Sequence, residues 1–185
     1  MENNHICSWR GGPLLTIAAR KLLQNPERIT GPYLSAGMTA MDIGPGMGFF
    51  TIPMSRIVGE EGKVIAVDVQ PEMLEGLKRN YEKAGRENIR THVCDFKSLH
   101  IEQWAGAVDF ALVFWMLHEV TDADRLIREL REALAPDGKL LIAEPVGHVG
   151  KEPFQRSLEM ITQLGFAVID TPKISISRAA VFRKG

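Results

Sequence analysis

Apolar positions recur along this chain in two rhythms. Residues 13–23 (PLLTIAARKLL) begin with proline and place Leu14, Leu15, Ile17, Ala18 and Leu22 at helical spacing, and Asn25 and Pro26 then stop the pattern. From residue 39 short β-type runs take turns with amphipathic stretches. Strands are predicted at 39–43, 63–68, 89–94, 109–114 and 138–144, and helices at 47–58, 71–84, 122–134 and 151–164. Pro71 suits the first turn of its helix, Asp122 suits a cap, and Pro136-Asp137-Gly138 stops a helix and turns into a strand.

Strands that alternate with helices are joined by right-handed crossovers and run parallel, which predicts an α/β doubly wound sheet. The last pair breaks this rhythm. Residues 166–170 (FAVID) and 174–183 (ISISRAAVFR) are separated only by Thr171, Pro172 and Lys173. A parallel crossover needs about a dozen residues or more, so these two strands must be antiparallel. The expected architecture is a Rossmann-like doubly wound sheet of seven strands, mostly parallel, with an antiparallel strand near the C-terminal edge.

Length and composition add bounds rather than detail. A chain of 185 residues, 45% hydrophobic and 24% charged, suits one domain with one buried core. The net charge of −1 supplies no general basic field for a nucleic-acid backbone, and Lys173, Arg178, Arg183 and Lys184 read as a solvated strand face. No apolar run reaches the ~18 residues of a membrane span, and the start, MENNHICSWR, lacks a signal-peptide segment, so a cytoplasmic protein is expected. Cys7 and Cys94 have no CxxC spacing, and His5 with Cys7 offers only two metal ligands, so no metal is called for.

The chemistry concentrates in MDIGPGMGFF, residues 41–50. The stretch follows the first strand, at the carboxyl end where ligands bind in open α/β sheets. Gly44, Gly46 and Gly48 give GxGxG, whereas a dinucleotide loop reads GxGxxG. Phe49 stands where the third glycine belongs, and Pro45 removes a backbone donor, so both argue against a pyrophosphate. Asp68 closes the second strand roughly 20 residues beyond the loop, where a carboxylate accepts hydrogen bonds from two ribose hydroxyls. Asp95 follows the third strand, within reach of an adenine amine. The fourth strand ends in FWMLHEV, which brings an aromatic pair and then His118 and Glu119 to the same crevice.

Taken in order, DIGPGMG (42–48), AVDVQPEML (66–74), CDF (94–96), FALVFWMLHEV (110–120) and EALAPDGKLLIAEP (132–145) resemble the class I S-adenosylmethionine-dependent methyltransferases. The resemblance covers residues 37–185 and is strongest to the small-molecule group that includes ubiquinone and menaquinone biosynthesis methyltransferases. It implies that Asp42, Gly44, Pro45, Gly46 and Gly48 line the methionine part of S-adenosylmethionine and that Asp68 holds the ribose. It also implies that Val69, Gln70 and Met73 border the adenosine, that Asp95 and Phe96 meet the adenine, and that Phe114 and Trp115 lie near the sulfonium. A sulfonium tolerates carboxylates and aromatic faces beside it.

His118 and Glu119 are the candidate general bases, with Glu144, His148 and Glu152 ranked below them. Met116 and Leu117 are assigned to packing. Many methyl transfers need no base, because alignment and proximity supply the rate. Residues 1–36 are expected to form an N-terminal helical segment that closes over the crevice as a lid, with Trp9 and Tyr33 nearby, before the cofactor domain at 37–185. So little chain beyond the core leaves two options: a small-molecule acceptor partly covered by a homodimer partner, or an open site for a large one. Methylation of RNA or protein is the alternative, with neither a basic field nor an (N/D)PPY-like motif behind it, and a silent cofactor-binding subunit is another.

Overall fold

The computed structural model describes residues 23–185. The expected helix at 13–23, with Trp9 and the lid role given to it, falls almost wholly outside them.

Among the described residues seven strands form one sheet: β1 (Thr39–Ile43), β2 (Lys63–Asp68), β3 (Ile89–Val93), β4 (Val108–Phe114), β5 (Leu134–Pro145), β6 (Phe166–Asp170) and β7 (Ser177–Lys184), in the order β3-β2-β1-β4-β5-β7-β6. The first five pair in parallel, and β7 lies antiparallel to both β5 and β6. The expected architecture is therefore present, with the reversed strand seated inside the edge.

Both faces of the sheet are covered. Ala40, Phe110, Leu112 and Val181 pack towards α2 (Thr51–Val58), preceded by the short α1 (Pro26–Thr30). Met41, Ile43, Val113, Ile142 and Phe182 pack on the opposite face, which α4 (Ala123–Ala133) and α5 (Lys151–Gln163) cover. Helix α3 (Pro71–Lys83) adds Leu74 and Leu77 over Ala66. Helix α4 shows why such stretches fold as they do: Leu126, Ile127, Leu130 and Ala133 make one buried stripe, and the Asp122 side chain caps it by accepting the Arg125 N–H at 3.0 Å. Burying each large member of that stripe contributes about 1.5–3 kcal/mol. Strand β4, buried at nearly every position, is the continuous apolar run of a central parallel strand.

Three boundaries differ from the sequence expectation by more than one residue, for identifiable reasons. Helix α2 begins at Thr51 rather than 47, because Gly46 and Gly48 take positive φ (53° and 94°) and hold the chain in turns. Strand β5 begins at Leu134: this residue pairs with Val108, residues 135–138 bulge out, and pairing resumes at Lys139. Strand β7 starts at Ser177, after Ile176 in a left-handed conformation.

Tyr33 does not border the crevice. Its ring stacks on Phe110 with centroids 6.2 Å apart, and its hydroxyl donates to Asp170 Oδ2 at 2.5 Å, bracing one sheet face. No helix among the described residues is long and apolar enough to cross a membrane.

Candidate active site

Strand order reverses between β1 and β4, and the carboxyl ends there open into a cavity of about 370 Å³. Each parallel strand from β1 to β4 contributes its following loop. Gly44 and Gly46 come after β1, Asp68 ends β2 and Val69, Gln70 and Met73 follow it, Cys94 to Leu99 come after β3, and Phe114 ends β4 with Trp115, Met116 and Glu119 to Thr121 beyond it. Arg125, Leu126 and Glu129 of α4 close one side.

Asp68 caps the turn into α3, its Oδ1 accepting the Gln70 N–H at 2.9 Å. Burial pushes its carboxyl above the usual carboxylate range. Asp95 is held differently. Its Oδ1 accepts the N–H groups of Lys97 (2.7 Å) and Ser98 (2.9 Å), while Oδ2 accepts from His100 Nε2 at 2.9 Å. Those bonds, the one from His100 foremost, lower its carboxyl to about 2 and keep it ionised. Asp95 thus shapes the loop that carries Phe96, an aromatic face 59% exposed beside the crevice. Between them the Cys94 thiol is pushed up to about 12, chiefly by burial, and is a packing group.

Four of the expected residues do not line the cavity. Asp42 is buried beneath the glycine loop, where Thr51 Oγ1 donates to its Oδ2 at 2.6 Å, and burial raises its carboxyl to about 7. Pro45 faces inward and closes the turn by accepting the Gly48 N–H at 3.0 Å. Gly48 lies against α3, and a Cβ there would come within 2.6 Å of Leu77 Cδ1. His118 sits on the turn after β4, but its ring points to Glu144, with Nδ1 2.5 Å from Oε2.

Trp115 takes a left-handed backbone (φ 61°), an uncommon conformation for a bulky residue and one that clusters at functional sites. Two bonds over-determine it. Its N–H donates to the Ala143 carbonyl at 2.7 Å, and its Nε1 donates to Ser177 Oγ at 2.9 Å. Below it Phe114 packs against Phe50, ring centroids 4.4 Å apart.

Sequence reasoning missed Arg125 and Glu129. Glu129 accepts the Leu99 N–H at 2.6 Å and the Arg125 Nε–H at 2.9 Å, clamping the β3 loop to α4. Their i,i+4 spacing was visible but is the spacing of any solvated helix pair. Ser98, Met116, Val120 and Thr121 also line the cavity without a signature of their own.

The lining suits a cationic adenosyl ligand. Asp68, Asp95, Glu119 and Glu129 outnumber Lys97 and Arg125, the reverse of what a pyrophosphate needs. A Cβ on Gly46 would meet nothing within 4 Å, so space opens above the loop, while α2 starts too late to aim its N-terminus at a phosphate.

Comparisons with known proteins agree with that chemistry. The sequence profile described as "Methyltransferase domain" matches residues 34–173. The ubiquinone/menaquinone biosynthesis C-methyltransferase of Escherichia coli is 32% identical over 115 residues, covering 58% of this chain and 43% of that protein. The chain therefore spans less than half the length of such curated relatives. A SAM-dependent methyltransferase from Aquifex aeolicus superposes with a TM-score of 0.78 at 26% identity, over 89% of this chain and 92% of that one. Fibrillarin from Aeropyrum pernix, solved with natively bound S-adenosyl-L-methionine, shares the fold at a TM-score of 0.67 and 19% identity, over 86% and 73% of the two chains. A profile match across three-quarters of the chain, on this strand order, gives the assignment: the protein belongs to the methyltransferase-domain family, as a class I S-adenosylmethionine-dependent methyltransferase.

Proposed function

We propose that this enzyme methylates a small-molecule acceptor by direct in-line displacement. The observation that carries this reading is the acidic, aromatic-walled cavity of about 370 Å³ at the point where strand order reverses. When bound, S-adenosylmethionine supplies a methyl group already activated on a sulfonium.

The chain's own residues then bind and align. Asp68 accepts the ribose hydroxyls, Val69, Gln70 and Met73 flank the adenosine, and Phe96 lies against the adenine beside the Asp95 turn. Gly44 and Gly46 approach the methionine part with their backbone, and Asp42 supports that loop from below through Thr51. Phe114 and Trp115 form the wall next to the reacting methyl, where they exclude water and favour a cation.

The Escherichia coli relative is a C-methyltransferase of quinone biosynthesis, which makes hydroquinone rings the first acceptor class to test. Titration calorimetry with S-adenosylmethionine beside NAD, followed by adenosylhomocysteine release over a panel of hydroquinones, phenols and amines, checks the reading. Binding of NAD in place of the methyl donor would refute it, and donor binding with no release across the panel would favour a silent binding subunit.

A further inference from the structure

A polar cluster lies at the carboxyl ends of β4 and β5, beside the cofactor cavity. Glu144, near the end of β5, is 2% exposed, and both its oxygens meet His118, with the Leu117 backbone N–H beside them. Oε1 accepts the His118 backbone N–H at 3.2 Å, and Oε2 lies 2.5 Å from His118 Nδ1. Across from His118, the His148 ring meets it edge-on with centroids 5.6 Å apart. Arg178 faces Glu144 in the β5–β7 register, but its Nε donates to the Val149 carbonyl at 3.1 Å.

Burial raises the Glu144 carboxyl, and the His118 ring with the backbone N–H groups of Leu117 and His118 works against that rise. In its ionised form the carboxylate only accepts hydrogen bonds, so the Nδ1 of His118 carries the proton towards it. The Nε2 lone pair then points away from Glu144. The turn that carries His118 also carries Met116 and Glu119, both of which line the cofactor cavity. The imidazole thus stands at the border between that cavity and the ends of β4 and β5.

We propose that Glu144 is a positioning residue that holds His118 in the Nδ1–H tautomer, and that the Nε2 of His118 takes the proton of a hydroxyl or phenol acceptor bound beside Trp115. This rests on the methyl-transfer reading above. The acceptor oxygen bonds the methyl carbon, and the carbon–sulfur bond breaks with its electron pair going to sulfur. The oxygen's proton passes to Nε2, and the resulting imidazolium is stabilised by the buried Glu144 carboxylate until water removes the proton. A triad carboxylate behind a histidine works in the same way, fixing tautomer and orientation without itself accepting the proton. The arrangement selects acceptors that arrive protonated at the reacting oxygen.

The decisive measurement is nitrogen NMR of the full chain with ring-labelled histidine, in the parent and in Glu144→Gln. The parent is expected to show His118 protonated at Nδ1. In Glu144→Gln the amide oxygen still accepts the His118 backbone N–H, but the amide NH₂ now faces Nδ1, so the proton moves to Nε2. O-methylation of hydroquinone by Glu144→Gln then falls by about 10²–10⁴-fold while calorimetric donor affinity is retained. A purely structural glutamate would leave the rate intact, since the glutamine keeps the backbone bond. An Nε2–H tautomer in the parent, or a parental rate in Glu144→Gln, overturns the proposal. If the parent leaves hydroquinone unmethylated, the tautomer alone decides. A parent that fails to bind S-adenosylmethionine refutes the function proposed above and leaves the tautomer result standing.

Discussion

Trp115 Nε1 donates to Ser177 Oγ at 2.9 Å, which ties the left-handed turn after β4 to the first residue of the antiparallel β7. Replacing Ser177 with alanine removes that acceptor. The indole N–H resonance of Trp115 is expected to shift, and turnover to fall by about fivefold, the value of one hydrogen bond near 1 kcal/mol. An unmoved indole signal in NMR would show that β7 does not hold the ring.

Asp68→Ala should weaken S-adenosylmethionine binding by about 10²–10⁴-fold, the loss of two charge-assisted bonds to the ribose at about 1.5–3 kcal/mol each. Titration calorimetry measures it, with circular dichroism to confirm the fold. Donor affinity in the parent should also fall on acidification, and at a higher pH than an ordinary carboxylate would give. Burial raises the Asp68 carboxyl, and the protonated form offers the ribose a poorer acceptor. Affinity as tight in Asp68→Ala as in the parent would remove the ribose assignment.

Asp42→Asn should stabilise the free protein at pH 8 but hardly at pH 4. With the folded carboxyl raised from 3.8 to about 7, the folded chain keeps a proton that the unfolded chain has released. Stability contributed by this group is therefore lost as pH rises across that window, on the order of a few kcal/mol in total. Asparagine can still accept from Thr51 Oγ1 without bearing the charge. The difference in melting temperature between variant and parent should grow from pH 4 to pH 7 and then level off. A difference that does not change with pH would contradict a buried, titrating Asp42.

Much of this was readable in the chain. The strands at 39–43 and 63–68 match to the residue, because parallel central strands announce themselves as largely apolar runs, and the edge strand at 166–170 matches because Gly165 and Thr171-Pro172 bound it. The three-residue gap after Asp170 forced the antiparallel pair. Side-chain direction was not readable. Asp42 and Asp68 both sit at strand ends before loops, yet one turns under the glycine loop to Thr51 and the other lines the cavity. The partnership of His118 with Glu144 joins residues 26 apart through the pairing of β4 with β5, which no local pattern encodes.

Gly48→Ala tests the loop's packing apart from its chemistry. Its φ of 94° is strained for alanine, and the added Cβ would sit 2.6 Å from Leu77 Cδ1. A cost of about 1–3 kcal/mol, or about 3–10 °C in melting temperature, is expected in calorimetric unfolding. An unchanged melting temperature would mean that the loop and α3 can move apart freely.

The seat of β7 between β5 and β6 also sets an order of assembly. Strand β6 precedes β7 in the chain but pairs with no other strand among the described residues, so it reaches the sheet only through its successor. The last two strands of the seven therefore depend on the final stretch of chain to be made. A newly made chain whose β7 is still missing presents the bare side of β5, with Leu140, Leu141 and Ile142 open to the wrong partner.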